Sequence, residues 1–172
     1  ETGYAVTGFL NGNVFLLASG GIPGGYEIEP LTKLAEIAER WQPNTISVEK
    51  NMGHGAFSVV WLPILRTKWK GALIDEFVSG QKERRIIGTL EPVMGRGSLI
   101  IMEDVIEQDD VQTERHPAGK RQQFCLFHQI AKLTRERGAL SHDDRVDALE
   151  GSVRHWLAQI AIDQTKNVEK LE

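Results

Sequence analysis

The sequence predicts an α/β domain with a mixed β-sheet and helices on both faces, and three observations predict it. Two apolar, strand-like runs joined by a tight-turn tripeptide open the chain. Further short apolar runs then alternate with segments of helical periodicity, and the chain closes on helices.

At 172 residues the chain is expected to form one domain, residues 1–172, with a substantial core. Its 41% hydrophobic and 26% charged content, with four tryptophans, is that of a folding globular protein. The single cysteine, Cys125, excludes an internal disulfide framework and fits a reducing compartment, and "QQFCLFHQI" makes it a buried apolar group. No apolar run approaches the roughly 20 residues that span a bilayer, and no basic-then-apolar leader opens the chain, so no membrane association is expected. A formal charge of −4 provides no global attraction for nucleic acid, so any DNA contact must come from local patches.

"YAVTGFL" and "VFLLASG" form the opening hairpin, because the Asn and Gly of "NGN" tolerate the positive φ of a tight turn. After the loop "GGIPGG", Leu31, Leu34, Ala35, Ile37, Ala38 and Trp41 recur at helical spacing until Pro43 stops the pattern. "TISVE" is a buried parallel strand ending on Glu49, followed by the loop "NMGHG". Ala56 to Trp69 is a helix kinked or broken at Pro63. "ALIDEFV" is the next strand, "QKERRIIGTLEPVM" the next helix, and "GSLIIM" a further short strand. Residues 103–120 are expected as a short helix and a surface loop. Phe124, Phe127, Ile130, Ala131 and Thr134 mark a helix ending near Gly138. The last helix runs from Ser141 to about Thr165, with Val146, Leu149, Val153, Trp156 and Ile160 as its buried stripe.

The stretch "GALSHDDRVDALEG" carries the chemistry. Ser141 and Asp144 stand in the spacing of a capping box, and Asp143 and Asp144 favour the positive end of the helix dipole. Asp147 is not needed for either role. It lies one turn from Asp143 and Asp144, where like charges repel. A hard cation such as Mg²⁺ or Mn²⁺ would relieve that repulsion, whereas a solvated, capped helix start would have to tolerate it. Glu49, at the carboxyl end of a buried strand, sits where open α/β folds place their sites, and it could meet the helix-start acids or simply reach water.

"SVEKN" with its Gly-rich loop, "GQKERRIIGTLEPVM" and above all "RERGALSHDDRVDAL" resemble the nuclease domain of the large terminase subunit of tailed bacteriophages, the short-tailed group in particular. The opening "ETGYAVTGFLNGNVFLLASGG" resembles the second and third strands of that domain, so the likeness spans nearly the whole chain. The resemblance implies an RNase H-like fold and cleavage of concatemeric double-stranded viral DNA during genome packaging in the host cell cytoplasm. It implies two divalent cations, Mg²⁺ or Mn²⁺, and makes Glu49, Asp143, Asp144 and Asp147 catalytic metal ligands, with Asp144 and Asp147 preferred. It further implies an ATPase domain on the same polypeptide, a portal protein and a small terminase subunit as partners.

One departure accompanies the likeness. The family's first catalytic aspartate lies on an opening strand just upstream of the match to "ETGYAV", and no aspartate precedes residue 75 here, so that strand and ligand are expected to be absent from this chain. Sequence-independent DNA contact is expected from Lys82, Arg84 and Arg85 and from Lys120 and Arg121, each also readable as a solvated helix start or loop. Lys50, His54 and His142 flank the expected site. No phosphate-binding G-x-x-x-x-G-K-[ST] motif occurs, so no ATPase of the chain's own is expected. Two other readings remain open: a junction resolvase or integrase-like nuclease, and an inactive module that docks on a packaging partner.

Overall fold

The computed structural model describes residues 1–50 and 55–169, with side chains through Ala161. Strands β1 (Thr2–Leu10) and β2 (Asn13–Ile22) form the opening hairpin, in register from Thr2↔Ile22 to Leu10↔Asn13 with a bulge at Val6/Thr7. Asn11 and Gly12 turn the corner at φ 51° and 82°, the positive pair that a two-residue hairpin loop demands. After helix α1 (Ile28–Trp41) comes β3 (Thr45–Glu49), and after α2 (Ala56–Leu65) comes β4 (Ala72–Glu76). Helix α3 (Lys82–Gly95) leads to β5 (Leu99–Ile101), and α4 (Glu103–Val111) leads to a 3₁₀ turn (Ala118–Phe124). Helices α5 (Leu126–Lys132) and α6 (Asp144–Glu169) close the chain.

Among the described residues the hydrogen-bond ladders form two pieces rather than one continuous sheet. β5 adds in parallel to β2, giving the order β1-β2-β5, while β3 and β4 pair in parallel with each other. β1 and β3 are therefore both edge strands. The division follows burial, since each piece covers its own apolar set. Leu16 packs with Ile86, Leu126, Val146, Leu149 and Val153 against α3 to α6, while Leu31, Ala35, Phe57, Trp61, Leu65 and Trp69 gather around α1 and α2. Trp61 and Trp69 direct their indole N–H groups to the carbonyls of Leu31 and Pro43 at 2.9 and 2.8 Å, so the second core leaves neither donor unpaired.

Four helix boundaries differ from the sequence expectation. α2 ends at Leu65 rather than Trp69, two residues after Pro63, whose ring cannot continue the pattern far. The helix expected to run to Gly138 stops at Lys132, and its start is set from outside. The Asp109 carboxylate accepts the N–H groups of Leu126 and Phe127 at 2.8 and 3.0 Å, while Cys125 stays extended. Ser141 does not cap α6. Its hydroxyl reaches Gln123 at 3.1 Å, the helix begins at Asp144, and the Gln129 side chain accepts the Val146 N–H at 3.0 Å. α6 continues to Glu169, beyond the expected Thr165.

Candidate active site

The parallel register of β3 and β4 sets Glu49 beside Glu76, so two strands end on neighbouring glutamates. α6 lies along β1, tied by Trp156, whose indole donates to Thr7 at 2.9 Å and whose ring stacks on Phe9. That placement turns one face of α6, carrying Asp147 and Glu150, together with Asp143 just before the helix, toward the start of α3.

Two cations from α3 meet these acids. Lys82 Nζ lies 2.9 Å from Asp143 Oδ1 and 3.0 Å from Asp147 Oδ2. Arg85 donates to Asp147 Oδ1 at 2.8 Å and also to Glu150, which is wholly buried. Glu150 further accepts from Thr89 at 2.8 Å and from Arg154 at 3.1 Å, and Arg154 reaches across to Glu76 at 2.9 Å. A continuous chain of charge thus runs from the α6 start to the end of β4. Burial alone would lower the pKa of Lys82 and of Arg85, but the facing carboxylates outweigh it and hold both above their ordinary values, Glu49 adding to the field at Arg85.

Asp144 is not among the acids that Lys82 and Arg85 bridge. Burial, with the charges of Asp143 and Glu1, pushes its carboxyl above the usual range against the pull of Lys82. Asp143 and Asp147 are thus the pair that shares the Lys82 ammonium, whereas the expected preference for Asp144 and Asp147 concerns a metal ion. The two are separated by one helical turn, and the Asp147 N–H donates to the Asp143 carbonyl at 2.9 Å, so the backbone itself sets their spacing.

The remaining expected residues fall elsewhere. Arg84 is exposed on α3 beside Ile87, Gly88 and Arg135. Lys120 is exposed on the 3₁₀ turn, whereas Arg121 closes that loop through the carbonyls of His116 and Glu114 at 3.2 and 3.3 Å. His142 stacks on Phe124, which stacks on His116, and it lines a cleft of about 300 Å³ with His128, Lys132 and Ser141. Lys50 anchors its main chain to the Glu76 carbonyl at 2.8 Å, and His54 lies outside the described residues.

Glu76, Glu150 and Arg154 belong to the same cluster, although no motif of the sequence marks them. Glu76 ends its strand as Glu49 does, and Glu150 continues the Asp143–Asp147 face three residues on, so both patterns were available in the sequence.

Among the described residues no three His, Cys, Asp or Glu side chains converge closely enough to hold a metal ion. Two carboxylates do converge, and the Lys82 ammonium shows the point at which they meet. A pair of this kind fits Mg²⁺ or Mn²⁺, which take one or two protein carboxylates and complete their shells with water and phosphate.

Residues 1–99 match the family described as Terminase Bacteriophage T7, Ribonuclease H-like domain. The chain belongs to this family. It is also 40% identical over 167 residues to the terminase large subunit of Enterobacteria phage T3, an alignment covering 96% of the chain and 28% of that protein. The chain thus spans little more than a quarter of its relative's length. The family match covers β1 to β4 and α3 and so includes Glu49, Lys82 and Arg85, but it stops before α6. The longer alignment to the phage T3 protein takes in the start of α6 as well. The α/β architecture matches the fold class expected from the residues, and the RNase H-like family match agrees with the fold that the resemblance implied.

Proposed function

We propose that this RNase H-like terminase domain is a metal-dependent DNA endonuclease that cuts concatemeric double-stranded viral DNA during genome packaging. The observation that carries the reading is the convergence of Asp143 and Asp147 on one cation position, beside the strand ends that bear Glu49 and Glu76. Asp143 and Asp147 would hold the metal, and Glu49 would face it from the end of β3. Bound divalent cations supply an activated water and offset the charge that develops on the leaving 3′ oxygen.

The chain's own residues do the positioning. Arg85 holds Asp147 through one oxygen and leaves the other oxygen to a cation. Glu150 and Arg154 fix Arg85 and Glu76 in turn, and these ion pairs hold the carboxylates at their spacing. Arg84 and Lys120, both exposed, are suited to contact phosphates on either side. In the packaging assembly the domain would work on the same polypeptide as an ATPase domain and against the portal and small terminase subunits. No helix among the described residues is long and apolar enough to cross a membrane.

Plasmid digestion by the full terminase polypeptide with Mg²⁺ or Mn²⁺, against chelator, tests this. Cleavage should require metal, and Glu49→Ala and Asp147→Asn should each abolish it while leaving the melting transition in place. Cutting that persists in chelator, or in Asp147→Asn, would remove the reading. A strong preference for four-way junctions over linear duplex would point instead to a resolvase.

A further inference from the structure

We infer that Lys82 is a resident counter-cation that a divalent metal displaces from Asp143 and Asp147, so that metal loading releases an ammonium toward the DNA backbone. The inference rests on the reading of those two aspartates as metal ligands. What it adds is an exchange between a cation belonging to the chain and a cation from solution.

Both oxygens of Asp147 are in use. Oδ1 accepts from Arg85 at 2.8 Å, and Oδ2 faces Lys82 at 3.0 Å, with Asp143 Oδ1 completing the ammonium's pair at 2.9 Å. A metal bound by the same two oxygens would sit about 2.1 Å from each. That position overlaps the space of the ammonium, and two cations at such range repel. One of them has to leave.

The two α3 cations differ in their freedom to do so. The Arg85 side chain is 15% exposed and is held by Asp147 and by the wholly buried Glu150, so moving it would strand a buried charge. The Lys82 side chain is 38% exposed, stands at the first position of α3, and carries its charge on a flexible four-carbon stem. Rotation of that stem moves the ammonium to solvent without disturbing the helix. Arg85 is the fixed tie and Lys82 the movable one.

Charge bookkeeping gives the exchange a purpose. Asp143, Asp147, Glu150 and Glu76 bring four negative charges against the three positive charges of Lys82, Arg85 and Arg154, so with Lys82 in place the cluster keeps an excess of one negative charge. Without Lys82, Asp143 and Asp147 would repel across one helical turn. When a divalent cation replaces the ammonium, the negative excess is cancelled and Lys82 is left beside the cluster as an added positive charge, so repulsion of phosphate gives way to attraction once metal is in place.

Calorimetric titration of the full chain with Mn²⁺ reads the exchange directly, with Lys82→Met and Asp147→Asn for comparison. Lys82→Met should bind Mn²⁺ several-fold more tightly than the parent and melt at a lower temperature in chelator. Equal or weaker binding by Lys82→Met, with binding lost in Asp147→Asn, would overturn the exchange and leave the metal site standing. Undiminished binding by Asp147→Asn would instead overturn the metal-ligand reading beneath it. A second measurement needs no variant. Acetylation of Lys82 in the parent, followed by mass spectrometry, should accelerate when Mn²⁺ is added, and an unchanged rate would overturn the proposal.

Discussion

The Arg85 guanidinium donates to the Asp147 carboxylate at 2.8 Å, and this contact joins the start of α3 to the start of α6 across 62 positions of sequence. It does so from a largely enclosed position. Arg85 also serves Glu150, which has no solvent contact, so the tie combines an orienting contact near the surface with a buried ion pair.

Removing Arg85 should therefore cost far more than removing an exposed partner. Arg85→Met leaves Glu150 with only Thr89 and Arg154, and should lower unfolding stability by about 3 kcal/mol in urea titrations. Lys33→Ala, which breaks an exposed contact to Glu29, should lower it by less than about 1 kcal/mol. Similar losses for the two would contradict the ranking by burial.

Gly3 on β1 sits against the first residue of α6. A Cβ added there would overlap the main-chain carbonyl of Asp144, and neither backbone can yield without parting strand from helix. Gly3→Ala should cost about 1–3 kcal/mol and shift the Asp143 and Asp147 amide resonances. At Gly8 the nearest neighbour of such a Cβ is a Leu17 methyl at 3.6 Å, an ordinary contact. Gly8→Ala should therefore alter stability by less than about 1 kcal/mol. Thermal melts of both variants separate the two cases.

For DNA affinity, Arg84→Ala and Lys120→Ala should each weaken binding to duplex of any sequence and reduce the slope of log affinity against log salt by about 0.9. Arg121 already donates to two loop carbonyls, so Arg121→Ala should lower the melting temperature first. Fluorescence anisotropy across a salt series, with Ca²⁺ in place of Mg²⁺, gives the slopes.

Cys125 is buried, and burial, reinforced by the charge of Asp109, raises its thiol above the ordinary value of 9.0. The folded state thus holds this proton more tightly than the unfolded chain. The associated stability is complete below the ordinary value and fades as pH rises through the folded one. Disulfide-exchange labelling should be slow at pH 8, quicken only at a higher pH than for a free thiol, and become fast in urea.

Much of the fold was legible from local pattern. The hairpin turn at Asn11 and Gly12, the strand ending on Glu49 and the stripe of Val146, Leu149 and Val153 follow from backbone tolerance and apolar periodicity, which act over a few residues. The cap of α6 was not legible, because Gln129 rather than Ser141 supplies it from another helix. The start of α5 escaped for a related reason. Asp109 sets its start from α4, and no local rule reports a partner that distant.

By itself, then, the sequence determined the α/β order, the excess of aspartates before the last helix and the likeness to the terminase nuclease domain, because each is written in neighbouring residues. Tertiary structure alone decided that Asp143 and Asp147 share the Lys82 ammonium, that Asp144 lies outside that bridge, and that Lys82 and Arg85 face acids at the start of α6. Helical spacing permits several pairings of three aspartates, and only the approach of α3 selects one. Charge acts through space, and the space between two helices is set by the core packed beneath them.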